Sequence, residues 1–486
     1  LVALVRPSAD PRINLDLLMA SRGVPADEKR AHRNVVMTAA IAGLGGLLFG
    51  YDTGIIASAL LFVKKDFDLS GFEQGMVVSA VPVGAIFGAA IAGQAADRLG
   101  RRRTIISSAV VFVIGALASA AAPGLAVLVV ARVLLGVAVG LASANAPVYI
   151  SEVAPPEERG RLVSYFQLSV TVGILVAYLV GLAFSHAEAW RWMLGLGAVP
   201  ALALGIGMVQ MPQSPRWLVM VGQDYAARKV LEKIRRDDEE AITEELEEIK
   251  GSIEAKPGTW RDLMEPAVRA ALFVGVGLAV LQQVTGINTV IYYAPTIIQF
   301  TGINGDSAAI VASLGVGVIN IAATLVALRL IDRKGRRPLL MVGVSGMVIA
   351  LTVLGASFLG NSGTTVISVI AIASLMGYVA AFAISLGPVF WLMNSEIYPL
   401  KVRSKAAGVG TMANWSSNFV ISLTFLPLID LLGRSGAFWA YGAVGVLTLW
   451  FCWKFVPETK DKQLEQIEAI FRERAGEPVE LPSSAR

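Results

Sequence analysis

The stretch Asp97-Arg98-Leu99-Gly100-Arg101-Arg102 returns 235 residues later as Asp332-Arg333-Lys334-Gly335-Arg336-Arg337. Each copy follows one apolar block and precedes another, so the chain reads as two related halves. Other pieces repeat in the same order. Glu152 is followed seven residues on by Arg159, and Glu396 seven residues on by Arg403. Pro212-Gln213-Ser214-Pro215-Arg216 closes the first half, and Pro457-Glu458-Thr459-Lys460 closes the second.

The blocks around these turns decide the fold class. The 486 residues are 55% hydrophobic and 16% charged, with a mean hydropathy of +0.64. A soluble chain carries roughly 25% charged residues. The apolar residues come in runs of about 20, long enough to cross a hydrocarbon core as helices. Backbone polar groups must satisfy one another there, so helix is the expected form. The expected spans are 35–62, 74–96, 104–122, 125–149, 162–184, 192–211, 268–299, 308–331, 338–359, 365–394, 405–429 and 436–456. The expectation is an all-α integral membrane protein, with twelve transmembrane helices in two pseudo-symmetric six-helix bundles.

Around the bundles, 35–211 and 265–457, lie an N-terminal tail 1–34, a polar linker 212–264 and a tail 458–486. The tail 1–34 is expected to be disordered. Met19 reads as a more natural start than Leu1, so 1–18 are not expected to be native. In the linker, Val230, Leu231 and Ile234, then Ile242, Leu246 and Ile249, recur at helical spacing among charges, as in short amphipathic helices. The segment 462–474 has a similar pattern.

Arg and Lys gather in the short loops 97–103, 157–161, 332–337 and 401–405. All fall on one side in an alternating count, together with both termini and the linker. The positive-inside rule makes that side cytoplasmic in a cell membrane. The net charge of +4 is spent in those loops and points to no nucleic acid. The single cysteine, Cys452, excludes an internal disulfide. His32 and His186 are too far apart in sequence to suggest a metal site. There is no nucleotide loop or nucleophile–base pairing, so no cofactor, metal or enzymatic role is expected. Long cytoplasmic extensions typical of sensors are absent from the sequence, and the duplicated halves disfavour a channel.

Carboxylates near the basic turns suggest a cytoplasmic gate. Its expected members are Asp97, Arg98, Arg101, Arg102, Glu152, Arg159 and Arg216, with Asp332, Arg333, Arg336, Arg337, Glu396 and Arg403. Guanidinium groups pair bidentately with carboxylates. Pairs crossing between bundles hold the inner end shut in one state and part in the other. Topology alone also explains the arginines.

Ionisable groups inside the membrane are costly and functional by default. Asp52, within Gly50-Tyr51-Asp52-Thr53-Gly54, and Arg132 lie in spans one and four. They are expected to pair, and a proton on Asp52 breaks such a pair. A permanent structural salt bridge is the alternative. Span seven carries Gln282, Gln283, Asn288, Tyr292 and Tyr293 around Gly286. Further polar or aromatic candidates are Gln167, Asn320, Trp391, Asn414 and Trp415. Amides donate and accept together, which suits a neutral ligand studded with hydroxyls. Interhelical glue is the competing use of each amide. Gly84 with Gly88 and Gly136 with Gly140 read as helix contacts.

At these residues the chain resembles the sugar-porter family of the major facilitator superfamily, over about residues 34–475. The resemblance rests on both basic turns, Pro212–Arg216, Gln282–Tyr293, Gly387–Trp391 and Pro457–Lys460. It implies that Gln167, Gln282, Gln283, Asn288, Asn320, Trp391, Asn414 and Trp415 bind the sugar. It implies that Asp52 and Arg132 are the proton-coupling pair of bacterial proton symporters. Animal glucose facilitators lack an acid at the place of Asp52. Ile174 stands where the bacterial xylose symporter has a glutamine, Ala383 where the animal facilitators have a glutamate, and Gln213 where glutamate is usual. The expected function is proton-coupled uptake of a monosaccharide or cyclic polyol by a monomer in the lipid bilayer. The alternative is a facilitative uniporter. Gly50–Thr53 also aligns with Gly286–Thr289, which makes Asp52 and Asn288 repeat-equivalent.

Overall fold

The computed structural model describes residues 26–155, 158–235, 239–254, 258–303, 305–359, 365–399, 401–460, 462 and 464–476. The expected tail 1–34 is described only from residue 26, and the tail 458–486 only as far as residue 476, without 461 and 463. Among those described, every regular element is helical.

The first half holds α1 (Ala26–Asp66), α2 (Gly71–Leu99), α3 (Arg101–Ala120), α4 (Leu125–Val153) and α5 (Arg159–Ser185). Its sixth span is split into α6 (Trp190–Gly195) and α7 (Ala198–Gln210). Short helices α8 (Pro215–Met220), α9 (Asp224–Ile234) and α10 (Glu239–Glu254) follow. A 3₁₀ turn, Arg261–Met264, leads to the second half.

There the seventh span is α11 (Pro266–Val284), α12 (Ile287–Tyr292) and α13 (Ala294–Phe300). Next come α14 (Asp306–Lys334), α15 (Arg336–Ser357), α16 (Thr365–Ile384), α17 (Leu386–Glu396), α18 (Arg403–Phe455) and α19 (Leu464–Arg474). Among the described residues, eleven helical stretches are long and apolar enough to cross a membrane. The last, α18, is two crossings joined at Gly433, whose backbone leaves the helical region at φ 71° and ψ 169°. Twelve crossings result.

Local chemistry explains where the spans stop. Ser70 caps α2 with a reciprocal capping box to Glu73. Gly100 and Gly335 sit at the same place in the two basic turns, each with φ 86°. Only glycine adopts that region at low cost, so the second glycine-centred turn reproduces the first. The twin turns are the clearest structural trace of the repeat.

Packing inside the first half depends on missing side chains. A β-carbon on Gly84 would collide with the Val133 carbonyl, and one on Gly136 with the Val81 carbonyl. Thus α2 and α4 touch backbone to backbone, as small-residue membrane interfaces do. The linker helices are amphipathic, burying Leu231 and Ile234 on α9 and Ile242 and Leu246 on α10. Arg235 fixes them to the first bundle: it pairs bidentately with Glu245 at 2.7 Å and donates to the Val153 carbonyl at 2.8 Å. On α19, Ile467 and Phe471 are buried.

The halves meet more closely at the end opposite the basic turns. There Ser185 and Ser307 share a hydrogen bond of 2.9 Å, and a β-carbon on Gly75 would lie 2.6 Å from the Leu423 carbonyl. Nearer the middle, the Tyr178 hydroxyl donates to the Ile291 carbonyl at 3.0 Å.

Candidate functional site

The seventh span builds the centre of the site by breaking. Gly286 takes a left-handed conformation, φ 95° and ψ 14°, between α11 and α12. The break frees the Thr285 carbonyl, which accepts from the Tyr378 hydroxyl at 2.8 Å. It also swings Asn288 back toward the last turn of α11, which helical spacing alone does not do.

Four amides then pair with one another. Asn288 Nδ2 donates to Gln283 Oε1 at 2.6 Å, and Gln283 Nε2 donates to Asn414 Oδ1 at 3.0 Å. Asn414 Nδ2 donates to Gln282 Oε1 at 2.6 Å. Gln282 Nε2 donates to the Leu386 carbonyl at 2.8 Å, at the first residue of α17. Helices α11, α12, α17 and α18 are thereby tied through one polar cluster. Buried amides require such partners.

Trp415 stands beside the cluster, 2% exposed, and its Nε1 has no hydrogen-bond partner among the described residues. Its ring meets Phe49 of α1 at a centroid distance of 5.3 Å. That contact brings the first half to the amide site of the second. Trp391 packs on Phe390 at 4.8 Å and is 37% exposed. Gln167 is half-buried and Asn320 buried, and neither joins the amide cluster's hydrogen bonds.

The two tyrosines of α12 and its end part company with the amides. The Tyr292 hydroxyl accepts from Asn418 at 3.4 Å. Tyr293 is fully buried against Phe425, and its hydroxyl donates to the Ser422 carbonyl at 3.1 Å. Tyr293 thus faces Phe425 and Ser422 rather than the amide cluster. Sequence reasoning missed Asn418, although it lies one helical turn past Asn414 and that spacing marks it. It also missed Phe49, which nothing distinguishes from other aromatic residues in an apolar block.

In the first half, Asp52 and Arg132 are 3% and 1% exposed and face each other with both oxygen–nitrogen distances at 3.4 Å. Charge-assisted bonds of this kind usually measure about 2.7–2.9 Å, so the pair is loosely closed. Arg132 Nε donates to the Val77 carbonyl at 2.8 Å, so the guanidinium stays anchored to α2 if Asp52 takes a proton. The two sequences aligned around Gly50 and Gly286 have diverged in form: α1 runs unbroken through Gly50, whereas the chain breaks at Gly286.

At the basic end, the described ion pairs do not join the two bundles; they stay within a half or the linker, or tie Lys401 of the second half to Asp262 of the linker at 3.1 Å. Arg101 lies 3.1 Å from Asp97 and 3.2 Å from Glu152. In the matching place Arg336 lies 2.8 Å from Glu396, whose other oxygen accepts from Thr459 at 2.7 Å. The expected bridges between bundles are not present among these described pairs. Arg102 donates to the carbonyls of Met208, at 2.9 Å, and Val209. Arg403 donates to the Tyr398 carbonyl at 3.1 Å. Arg337 donates to the Trp453 carbonyl at 2.5 Å. Arg98, Arg159, Arg216 and Arg333 are exposed, and the side chain of Asp332 lies outside those described.

The acceptors that end each half complete the turns. Gln213 Oε1 accepts from the Arg102 backbone N–H at 3.0 Å. Glu458 accepts from the backbone N–H groups of Arg336 and Arg337, both at 3.0 Å, and from those of Thr459 and Lys460. Burial opposes the charge of Glu458, but the four N–H donors outweigh it and hold its carboxyl below the usual range.

Two six-span halves around a buried polar centre define a multi-pass membrane carrier of the major facilitator fold, not an enzyme. The Sugar (and other) transporter family matches residues 38–471, and the chain belongs to it. A D-xylose transporter of Levilactobacillus brevis is 43% identical over 89% of this chain and 95% of its own length. The galactose-proton symporter of Escherichia coli K12 is 41% identical over 92% of this chain and 97% of its own. Among solved structures, the inward open conformation of the xylose transporter XylE from E. coli has a TM-score of 0.78. It is 34% identical, covering 90% of this chain and 99% of that one.

Proposed function

We propose that the chain is a proton-coupled symporter that imports a monosaccharide, or a cyclic polyol, by alternating access. The observation that carries this reading is the buried Asp52–Arg132 pair in one half together with the amide cluster of the other, joined through Phe49 and Trp415. In this reading Gln167, Gln282, Gln283, Asn288, Asn320, Trp391, Asn414 and Trp415 meet sugar hydroxyls and ring faces. Amide groups suit a ligand that donates and accepts at every carbon. The names of similar proteins support the cargo: a D-xylose transporter and a galactose-proton symporter.

Asp52 carries the proton. When it is ionised, Arg132 holds it; when it is protonated, the pair loosens and α1 is free to shift against α4. Proton and sugar then favour the same exchange of states, a reciprocal coupling between two sites. In a uniporter of the same fold the pair would serve only as a structural salt bridge. The basic turns face the cytoplasm with both termini, in a cell membrane, and one chain suffices for transport.

The test is uptake into proteoliposomes from a panel of radiolabelled pentoses, hexoses and inositols, with and without an inward proton gradient. Accumulation of at least one above equilibrium, only with the gradient, is expected. Equal uptake in both conditions would mean uniport, and no uptake of any of them would remove the substrate class.

A further inference from the structure

The loops opposite the basic turns carry almost no basic residues, yet Lys64-Lys65 stands at the end of α1. The transport reading gives this dipeptide no task. In the structure Lys65 Nζ lies 2.6 Å from Asp306 Oδ2, the first residue of α14 in the other half. The second oxygen of Asp306 accepts from Gln299 Nε2, on α13, at 2.7 Å. Glu188, on the α5–α6 connection, approaches Lys65 from the other side at 3.6 Å. Beneath the pair, Ser185 meets Ser307 across the halves, and Ile310 is fully buried beside Gly181.

We propose that Lys65 and Asp306 form a latch that holds this end of the carrier closed and must part for it to open. Resting on the orientation given above, this is the outer end. The pair joins the bundles directly, whereas the described ion pairs among the basic turns do not. An ion pair that exists in one state only shifts the balance between states by its own worth. Gln299 gives the latch a route to the site. It sits on α13, which follows the helix bearing Asn288, so movement of that segment pulls on one oxygen of Asp306 while Lys65 holds the other. Lys65 is half exposed and Asp306 only 19% exposed at the side chain, so the pair is partly screened and readily opened.

The test needs neither sugar nor proton, so its failure is distinct from failure of the symport reading. The full chain carries Cys452→Ala, which removes the one cysteine, and Ile310→Cys as a reporter under the latch. Maleimide labelling of purified, monodisperse protein is timed. Asp306→Asn keeps the shape and an acceptor for Gln299; it and Lys65→Met are each expected to raise the rate roughly three- to tenfold. The charge-reversed pair Lys65→Asp with Asp306→Lys is expected to return it toward the parent rate, and this variant carries the test if a single variant does not yield folded protein. Glu188→Gln is expected to stay within about twofold of the parent, since it makes the longer contact. Unchanged rates in the single variants, or a reversed pair as fast as they are, would overturn the latch.

Discussion

Gln213 and Glu458 do the same job in the two halves with different charge. Each accepts a backbone N–H from the third arginine of its basic turn, Arg102 or Arg337, at 3.0 Å. Both acceptors sit at the N-terminal end of a membrane helix, α3 or α15, where backbone donors lack partners and the helix dipole favours negative charge. Glu458 supplies that charge and Gln213 does not. Gln213→Glu is expected to stabilise the first bundle by about 1 kcal/mol, and Glu458→Gln to weaken the second by a similar amount. Thermal unfolding in detergent reads both changes, as shifts of about 2–4 °C in opposite directions.

The same pair sets an expected pH response. Glu458 has a folded pKa below the usual carboxylate value. Its contribution is therefore fully present above the unfolded value, near 4.3 on average, and is lost as pH falls through the folded one. Melting measured from pH 6 down to pH 3 is expected to show an acid-dependent loss. Glu458→Gln is expected to flatten part of that loss, and a curve identical to the parent's would assign it to other groups.

Asp52→Asn keeps the size of the side chain and removes the titration. Accumulation against a gradient is expected to vanish, while counterflow exchange remains within about tenfold of the parent, a change worth about 1.4 kcal/mol. Sustained accumulation in this variant would leave Asp52 as a structural partner of Arg132 only.

Asn414 accepts from Gln283 and donates to Gln282, so Asn414→Ala removes a node of the cluster. A rise of about tenfold in KM is expected from the loss of one to two net hydrogen bonds. Trp415→Phe keeps the ring contact with Phe49 but deletes the unpartnered Nε1 donor. Its expected effect is a smaller rise in KM, largest for the sugar whose hydroxyl meets that nitrogen; equal effects on every sugar would point to packing instead.

The twelve crossings were legible because apolar length alone marks a span, and the basic turns because their residues repeat in order. Breaks were less legible. Gly286 stood out beside two glutamines; Gly387-Pro388 marks the interruption at Ser385, and Gly195, Gly197 and Pro200 mark the split sixth span. But Pro82 and Pro147 lie inside unbroken spans, so such residues alone do not tell a break from a continuous helix. Partners were the least legible feature. Tyr293 and Asn288 sit in one polar run, yet the turn at Gly286 sends Asn288 to Gln283 and leaves Tyr293 against Phe425. The spacing of an unbroken helix predicts neither. Asp52 and Arg132 were easier, because two opposite charges in a dry bundle have few other places to go.

The four amides that clasp one another also bear on the return stroke. A carrier that has released its cargo must carry its vacant binding surface back through the membrane. Bare donors and acceptors would make that journey steep. Here Gln282, Gln283, Asn288 and Asn414 bond among themselves, so, if they form the cargo site as proposed, the unloaded centre travels already neutralised. In the proposed reading a sugar gains only the net worth of each hydrogen bond it makes there, since every new bond replaces one between amides. The mutual pairing trades affinity for turnover, a bargain fitted to a protein whose work is letting go.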